Sequence, residues 1–214
     1  FSTLKVGDFV APGDEWKLGG GHLMRTRHGY SFVTPYLLAQ GGLRLTGLLA
    51  TKPYRSPGIP VIEYFNAGFG HYFMTAQGDE IAGLDAGAYG GAFVRTGRRF
   101  NAWESQAPDT VPVCRFFTTP GHFGTRGSHF YTADAAECEA VKHNPDWVYE
   151  KIAFYAPVPT AGECPAGTLP VYRAFNNGVT GAPNHRFTID PSVYQQFTTA
   201  LGWSAEGIRF CAPQ

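Results

Sequence analysis

One spacing pattern constrains the fold of this chain more than any other feature. From His185 to Trp203 is 18 positions, and from His129 to Trp147 is again 18. Each of these tryptophans is followed three positions later by a glutamate and seven positions later by a phenylalanine. A more divergent copy keeps the intervals of three, four and seven, although Phe93 replaces its tryptophan. The pattern predicts three related units, at 59–107, 108–160 and 161–214.

Each unit is predicted to run strand, strand, short helix, strand. In the last unit, Val171 to Phe175 alternates in the period-two pattern of a half-buried strand. Asp190 followed by Pro191 predicts a helix N-cap and first helical residue. Gly202 predicts a left-handed helix end. Asp134 to Lys142 predicts the matching helix of the second unit.

The first unit departs from this scheme in the middle. Its residues from Gly83 to Gly91 are mostly small, and they predict a loop rather than a helix.

Composition favours β structure. The 214 residues include 27 Gly and 16 Pro, and 15% of them are aromatic. We therefore expect a β-dominated fold with short helices, in which the three units close around a pseudo-symmetry axis. A trefoil-like arrangement and a small propeller-like one both remain open. Residues 1–58 are either a degenerate fourth copy or an unrelated β-rich cap, since His22–Thr26 and Leu43–Gly47 echo parts of the first unit. All parts are expected to pack as one compact body.

Charge and hydropathy exclude two classes of partner. Lys plus Arg and Asp plus Glu number 17 each, which removes the main driving force for binding nucleic acid or an anionic membrane. No run of apolar residues is long enough to span a bilayer.

The four cysteines favour an oxidising compartment. They allow three connectivities, and we favour Cys114 with Cys138 and Cys164 with Cys211, because each pair brackets part of one unit. The alternative is four buried thiols. Together with a first residue that is not methionine, the cysteines predict a secreted or periplasmic protein.

The repeated histidines and glutamates are the first candidate site. A histidine can hold a carboxylate by a hydrogen bond, and such a pair can contact sugar hydroxyls or transfer protons. We favour a structural role, because copies within a repeat are more simply scaffold than several active sites. The residues are His71, His129, His185, Glu150 and Glu206.

Aromatic and polar residues outside the repeated pattern are better candidates for ligand binding, because sugar rings stack on aromatic faces. These candidates are Trp103, Asn101, Trp16, Tyr89 and Tyr36. If the protein is an enzyme, the acids of the first unit would serve glycoside hydrolysis. These acids are Glu63, Asp79, Glu80 and Asp85. The spacing of His122, His129 and His143 matches no strong metal motif, and we expect neither a metal nor a cofactor.

The strings Pro-Val-Tyr-Arg, His-Phe-Tyr-Thr, Gly-Trp and Glu-Gly resemble an uncharacterised bacterial secreted repeat module found alongside cell-wall and polysaccharide hydrolases. Residues 169–211 and 111–155 carry the resemblance well, and 59–100 carry it in part. It implies attachment to glycan and a place in a longer chain with a hydrolase domain.

The leading hypothesis is a secreted, non-catalytic module that binds a polysaccharide or cell-wall glycan. The alternatives are a small glycan-cleaving enzyme and a protein-binding or inhibitor module that uses the insertion Thr118–Gly127.

Overall fold

The computed structural model describes residues 15–18, 21–26, 29–33, 58–179 and 181–214. The chain divides into two compact units, Phe1–Ser56 and Pro57–Gln214. In the first, β1 (Glu15–Leu18), β2 (Gly21–Thr26) and β3 (Gly29–Val33) form an antiparallel sheet in chain order.

The second unit holds three antiparallel sheets of three strands each. The first sheet contains β4 (Ile59–Asn66), β5 (His71–Thr75) and β6 (Phe93–Ala102). The second contains β7 (Val111–Thr118), β8 (His129–Thr132) and β9 (Trp147–Ala156). The third contains β10 (Thr168–Phe175), β11 (His185–Thr188) and β12 (Ser204–Pro213). In every one of them the earliest strand lies in the middle. The β-dominated fold class is confirmed, and the described strands close no barrel.

One short helix connects the last two strands of each sheet. The helices are α1 (Gly78–Asp85), α2 (Ala135–Lys142) and α3 (Pro191–Gln195), the last continuing as a π-helical turn over Gln196–Ala200. The Asp134 and Asp190 side chains accept hydrogen bonds from the first free backbone N–H groups of α2 and α3, as predicted. Gly202 has a φ of 71°, which confirms the left-handed end. No helix of the described residues is long and apolar enough to cross a membrane.

The loop predicted from Gly83 to Gly91 is wrong in its first part. Helix α1 includes Gly83 and ends at Asp85. The irregular part follows, where a 3-10 turn over Ala88–Gly91 contains Tyr89 at a φ of 57°. Left-handed backbone is uncommon for a residue with a side chain.

Strand pairing corrects the alignment of the three histidines. Thr75, Thr132 and Thr188 occupy the same position in their sheets. Each pairs with a central-strand residue that is fourth from the start of its segment, the segment that begins Ile59-Pro60-Val61 in the first sheet. Each threonine hydroxyl also accepts a hydrogen bond from the backbone N–H two residues on. Counting back from these threonines, His129 and His185 correspond to Tyr72. The prediction that His71 is their counterpart is wrong by one residue, because β5 is one residue longer than β8 and β11.

The core is centred on three phenylalanines, one from the last strand of each sheet. Phe100, Phe154 and Phe210 contact one another with ring centroids 5.7 to 6.0 Å apart. Each is paired across its sheet with a valine that is at most 1% exposed. The closing phenylalanine of the sequence pattern is therefore the residue through which the three sheets meet.

Both favoured disulfides are confirmed. Cys114 bonds to Cys138, which ties β7 to α2, and Cys164 bonds to Cys211, which ties the entry of the third sheet to its last strand. The order of the N-terminal sheet differs from that of the other three, because its earliest strand lies at an edge. Leu43–Gly47 lies outside the described residues, so a fourth copy stays a prediction.

Candidate functional site

A buried arginine connects the first sheet with the second. Arg115 on β7 is 4% exposed, and its two terminal nitrogens donate hydrogen bonds of 2.8 and 2.7 Å to the carboxylate of Glu80 on α1. Its Nε donates a bond of 2.7 Å to Glu150 on β9. The Nε2 atom of His129 lies 3.4 Å from the same Glu150 oxygen. The predicted pairing of His129 with Glu150 is thus part of a larger ion cluster.

The junction between the second and third sheets contains the same cluster. Arg173 donates two bonds of 2.9 Å to Glu137 on α2 and one of 2.7 Å to Glu206. The Nε2 atom of His185 lies 3.6 Å from Glu206. Because the same arrangement joins two different pairs of sheets, it holds neighbouring sheets together rather than marking one special site.

Each of these histidines also packs against two phenylalanine rings. The centroid distances are 4.4 and 4.8 Å from His129 to Phe73 and Phe117, and 4.8 and 4.7 Å from His185 to Phe130 and Phe175. Burial lowers the pKa of both histidines, that of His185 to about 3. Both imidazoles are therefore neutral at neutral pH.

The junction between the third and first sheets has its charges reversed. Glu63 takes the place of the arginine on the central strand, and Arg186 of β11 donates bonds of 3.1 and 2.7 Å to it. Thr96, which stands where the other sheets have glutamate, also donates to Glu63. The Arg186 guanidinium lies 4.0 Å from the Tyr72 ring centroid. Glu63, a candidate catalytic acid, is thus a buried structural anion.

A cleft of about 470 Å³ opens above the first of these clusters, between the first and second sheets. Its aromatic walls and its polar floor have the mixed character of a small-molecule site. The aromatic lining is Phe69, Tyr72, Phe73, Tyr89, Phe93 and Phe117. The charged and imidazole lining is His71, Asp79, Glu80, Arg115, His129 and Glu150.

Two connections form the mouth of this cleft. From the N-cap Gln77 to Phe93 is 16 positions, three more than from Asp134 to Trp147 or from Asp190 to Trp203. The extra residues carry Tyr89, which is 80% exposed and meets Phe93 edge to face at 6.1 Å. The opposite wall comes from Thr125 and Gly127, in the ten-residue connection between β7 and β8. The corresponding connection has four residues between β4 and β5 and nine between β10 and β11.

Gly127 is required where it stands. A Cβ atom there would lie 2.1 Å from Cζ of Phe117, so any other residue would displace the Phe117 ring. The Gly127 carbonyl also bonds to Nδ1 of His71 at 3.1 Å, across the junction of the two sheets. His71 is 2% exposed and lines the cleft. Burial lowers its pKa, which favours the neutral ring.

The carboxylates of the floor are ionised. Burial alone would raise the pKa of Glu80, but the hydrogen bonds from Arg115 and Thr75 outweigh it and bring the pKa to about 2. Burial is likewise outweighed at Glu150, where His129 and Arg115 lower the pKa of the carboxyl. Neither group retains a proton to donate at neutral pH, so neither is suited to act as a general acid.

The structure brings some of the predicted site residues together and places others apart. Tyr89, Asp79 and Glu80 line the cleft. Asp85 lies outside its lining and is held by Arg95, with bonds of 2.7 and 2.5 Å. Of the ligand candidates, Trp103 is 3% exposed. It therefore does not offer a ring to a ligand, and the expectation of an exposed platform there is corrected.

Of the remaining candidates, one belongs to the same unit as the cleft and is not part of its lining. Asn101 is half-buried on β6, where it pairs with Pro60. Trp16 belongs to β1, and Tyr36 lies outside the described residues. Sequence reasoning missed the aromatic wall and the role of Arg115. The alignment of Thr75 with Thr132 would have placed Glu80 at the position of Glu137, and so predicted the arginine partner.

A second, smaller cavity of about 290 Å³ lies at the reversed junction. Arg98 crosses it to bond Asp190 at 2.8 Å. Across the described parts of the chain, no group of three or more His, Cys, Asp or Glu residues is placed to hold a metal ion.

A family model described as "Domain of unknown function (DUF5648)" matches residues 60–213. The chain belongs to this family. The match begins within β4 and ends at the last residue of β12, so the DUF5648 domain corresponds to the three sheets that meet at the phenylalanine core. No curated protein and no solved structure matches the chain.

Proposed function

We propose that this protein is a secreted, non-catalytic glycan-binding module and that the cleft between its first and second sheets is the binding site. We further propose that the three sheets are diverged copies of one repeat around a pseudo-symmetry axis, and that a hydrolase domain accompanies the module in a longer chain.

The observation that carries the proposal is the origin of the cleft. Its floor is an ion cluster that recurs at the next junction, around Arg173 and Glu137, and so belongs to the scaffold. Its mouth comes from the two connections that exceed their counterparts in length and that carry Tyr89 and Gly127. Binding residues are found disproportionately on loops that a rigid scaffold positions.

The chemistry of the cleft suits a sugar. Aromatic faces pack against the C–H faces of a pyranose, and the fixed carboxylates of Glu80 and Glu150 accept hydrogen bonds from hydroxyl groups. The two disulfides support an oxidising, extracytoplasmic compartment.

The pKa values of the acidic residues favour binding without cleavage. A glycoside hydrolase needs one carboxyl group that stays protonated, with a raised pKa. The pKa values of Glu80 and Glu150 are lowered instead, and the hydrogen bond from Arg95 lowers the pKa of Asp85 as well.

A depletion assay on insoluble polysaccharides tests the proposal. The full chain should be removed from solution by at least one of chitin, cellulose, peptidoglycan and common α- and β-glucans. Labelled oligosaccharides of the same glycan should stay intact. Failure to bind any of them would overturn the glycan-binding function, and release of labelled product would replace it with catalysis.

A further inference from the structure

We propose that the cleft selects a glycan that carries a protonated amine, such as an amino sugar whose nitrogen is not acetylated. This inference rests on the proposed glycan-binding function and names the chemical class of its ligand.

The cleft contains one carboxylate that no cation of the described residues neutralises. Glu80 and Glu150 share Arg115, and Lys151 lies 3.7 Å from Glu80. Asp79 is different, because it lines the cleft, is exposed and has no ion-pair partner anywhere in the described parts of the chain. The ligand therefore meets one uncompensated carboxylate beside a group of nearly balanced charges.

The aromatic walls favour a cation as well. Tyr89, Phe93 and Phe73 contact one another edge to face in a chain, with centroids 6.1 Å apart at each step. All three residues line the same cleft. An ammonium group over an aromatic face is attracted by the negative charge of the ring face, the more so when water is partly excluded. A neutral sugar gains only the packing.

The resident cations at the floor are already engaged, because Lys151 lies 3.7 Å from Glu80 and Arg115 lies 5.9 Å from the Phe73 ring centroid. His71 and His129 both line the cleft, and burial lowers the pKa of each, so neither supplies positive charge near neutral pH. Arg115 is fully occupied by its two carboxylates. Asp79 is thus the lining carboxylate that no cation of the described residues holds, and it is the group left for a cation of the ligand.

Three matched ligands separate this inference from glycan binding in general. They are β-1,4-linked tetramers of glucosamine, of N-acetylglucosamine and of glucose, which differ only at the second carbon of each ring. Titration calorimetry with the full chain at about pH 5.5 keeps the amines protonated, well below the ordinary pKa of an amine. The glucosamine tetramer should bind at least about tenfold more tightly than either neutral tetramer.

The variant Asp79→Asn removes the charge while keeping the size of the side chain. It should abolish most of the preference for the amine and leave thermal unfolding nearly unchanged, since Asp79 is exposed. Glu104→Gln is the matched control, because Glu104 is exposed and lies outside the cleft lining. The control should bind like the wild type.

Equal or tighter binding of a neutral tetramer would overturn the amine inference and leave glycan binding standing. An amine preference that survives in Asp79→Asn would overturn it too. Absence of binding to all three tetramers would also overturn it, and the polysaccharide depletion assay would then decide separately whether the module binds glycan at all.

Discussion

At the scale of single residues, two groups that look catalytic in the sequence act as packing elements. His129 and His185 each lie between phenylalanine rings and near a glutamate that an arginine already holds. A buried imidazole in such a place is stable only while it is neutral. The protonation of these rings therefore affects the stability of the fold.

The pH dependence of stability follows from His185. Its pKa is about 3 when folded and 6.5 ordinarily, so between these values the unfolded chain binds one more proton than the folded one. Stability should rise with pH across that window and fall on acidification. In His185→Phe, which keeps an aromatic ring, the slope should decrease by one proton, about 1.4 kcal/mol per pH unit. Urea unfolding at several values between about pH 4 and pH 6 measures it, and equal slopes in both proteins would contradict the buried neutral state.

A second prediction concerns the phenylalanines that join the sheets. Phe210 is 0% exposed and contacts both Phe100 and Phe154, so Phe210→Ala would leave a cavity where all three sheets meet. The free energy of unfolding should fall by about 3–5 kcal/mol. Val179→Ala, at a position that is 81% exposed, should change it by less than about 0.5 kcal/mol. Chemical denaturation checks both, and a cost below about 1 kcal/mol for Phe210→Ala would show that the triangle is not a shared core.

At the scale of elements, all three junctions between sheets are joined by buried ion pairs, but the arrangement of the charges differs. Two of them place an arginine on the central strand and a glutamate on the preceding helix, as in Arg115 with Glu80. The third reverses the signs with Glu63 and Arg186. Val193 stands in the α3 position that Glu80 and Glu137 occupy in their helices, so the reversed strand anion finds its partner on β11 instead.

The reversed pair should couple the first and third sheets strongly. Glu63 and Arg186 side chains are 7% and 8% exposed, so Glu63→Gln or Arg186→Met alone leaves a buried charge unpaired. Each single change should cost about 3–5 kcal/mol. The double variant should cost at least about 1 kcal/mol less than the sum of the two.

The exposed pair of Arg95 with Asp85 supplies the control for this double-mutant cycle, because solvent screens it and its coupling should be much smaller. Each pair needs two single variants and one double variant, and the denaturant midpoints of these six variants and the wild type measure both couplings. Additive effects of the Glu63 and Arg186 changes would mean that the two side chains do not depend on each other.

Elements whose signals are local were predictable from the sequence. The strand at Val171, the caps at Asp134 and Asp190, and both disulfides follow from patterns a few residues long or from pairs that bracket one unit. Helix α1 was missed, since Gly83 lies inside it and its N-cap Gln77 makes no side-chain capping bond. The helix is held in place instead by the ion pair of Glu80 with Arg115, which is 35 positions away in the sequence.

At the scale of the whole molecule, the site depended on contacts that no local pattern contains. The cleft brings Tyr89 of one connection opposite Gly127 of another, and its floor joins residues of two sheets. Because His71 lies one residue before the true counterpart of His129, aligning these two histidines put the first and second sheets out of register. The sequence did predict that function lies in the first unit and in the connections. Three residues selected on that basis line the cleft, namely Asp79, Glu80 and Tyr89.

The central claim is that this cleft, and not the repeated clusters, binds the ligand. The most direct test is the dissociation constant of the full chain for a soluble fragment of whichever polysaccharide retains it, compared among the wild type, Tyr89→Asn and Val179→Asn. The two changed residues are 80% and 81% exposed, and asparagine tolerates the left-handed backbone of Tyr89. Tyr89→Asn should weaken binding about tenfold, roughly 1.4 kcal/mol, and Val179→Asn should leave it unchanged. Equal affinities for all three proteins, or a loss confined to Val179→Asn, would contradict the assignment of the site.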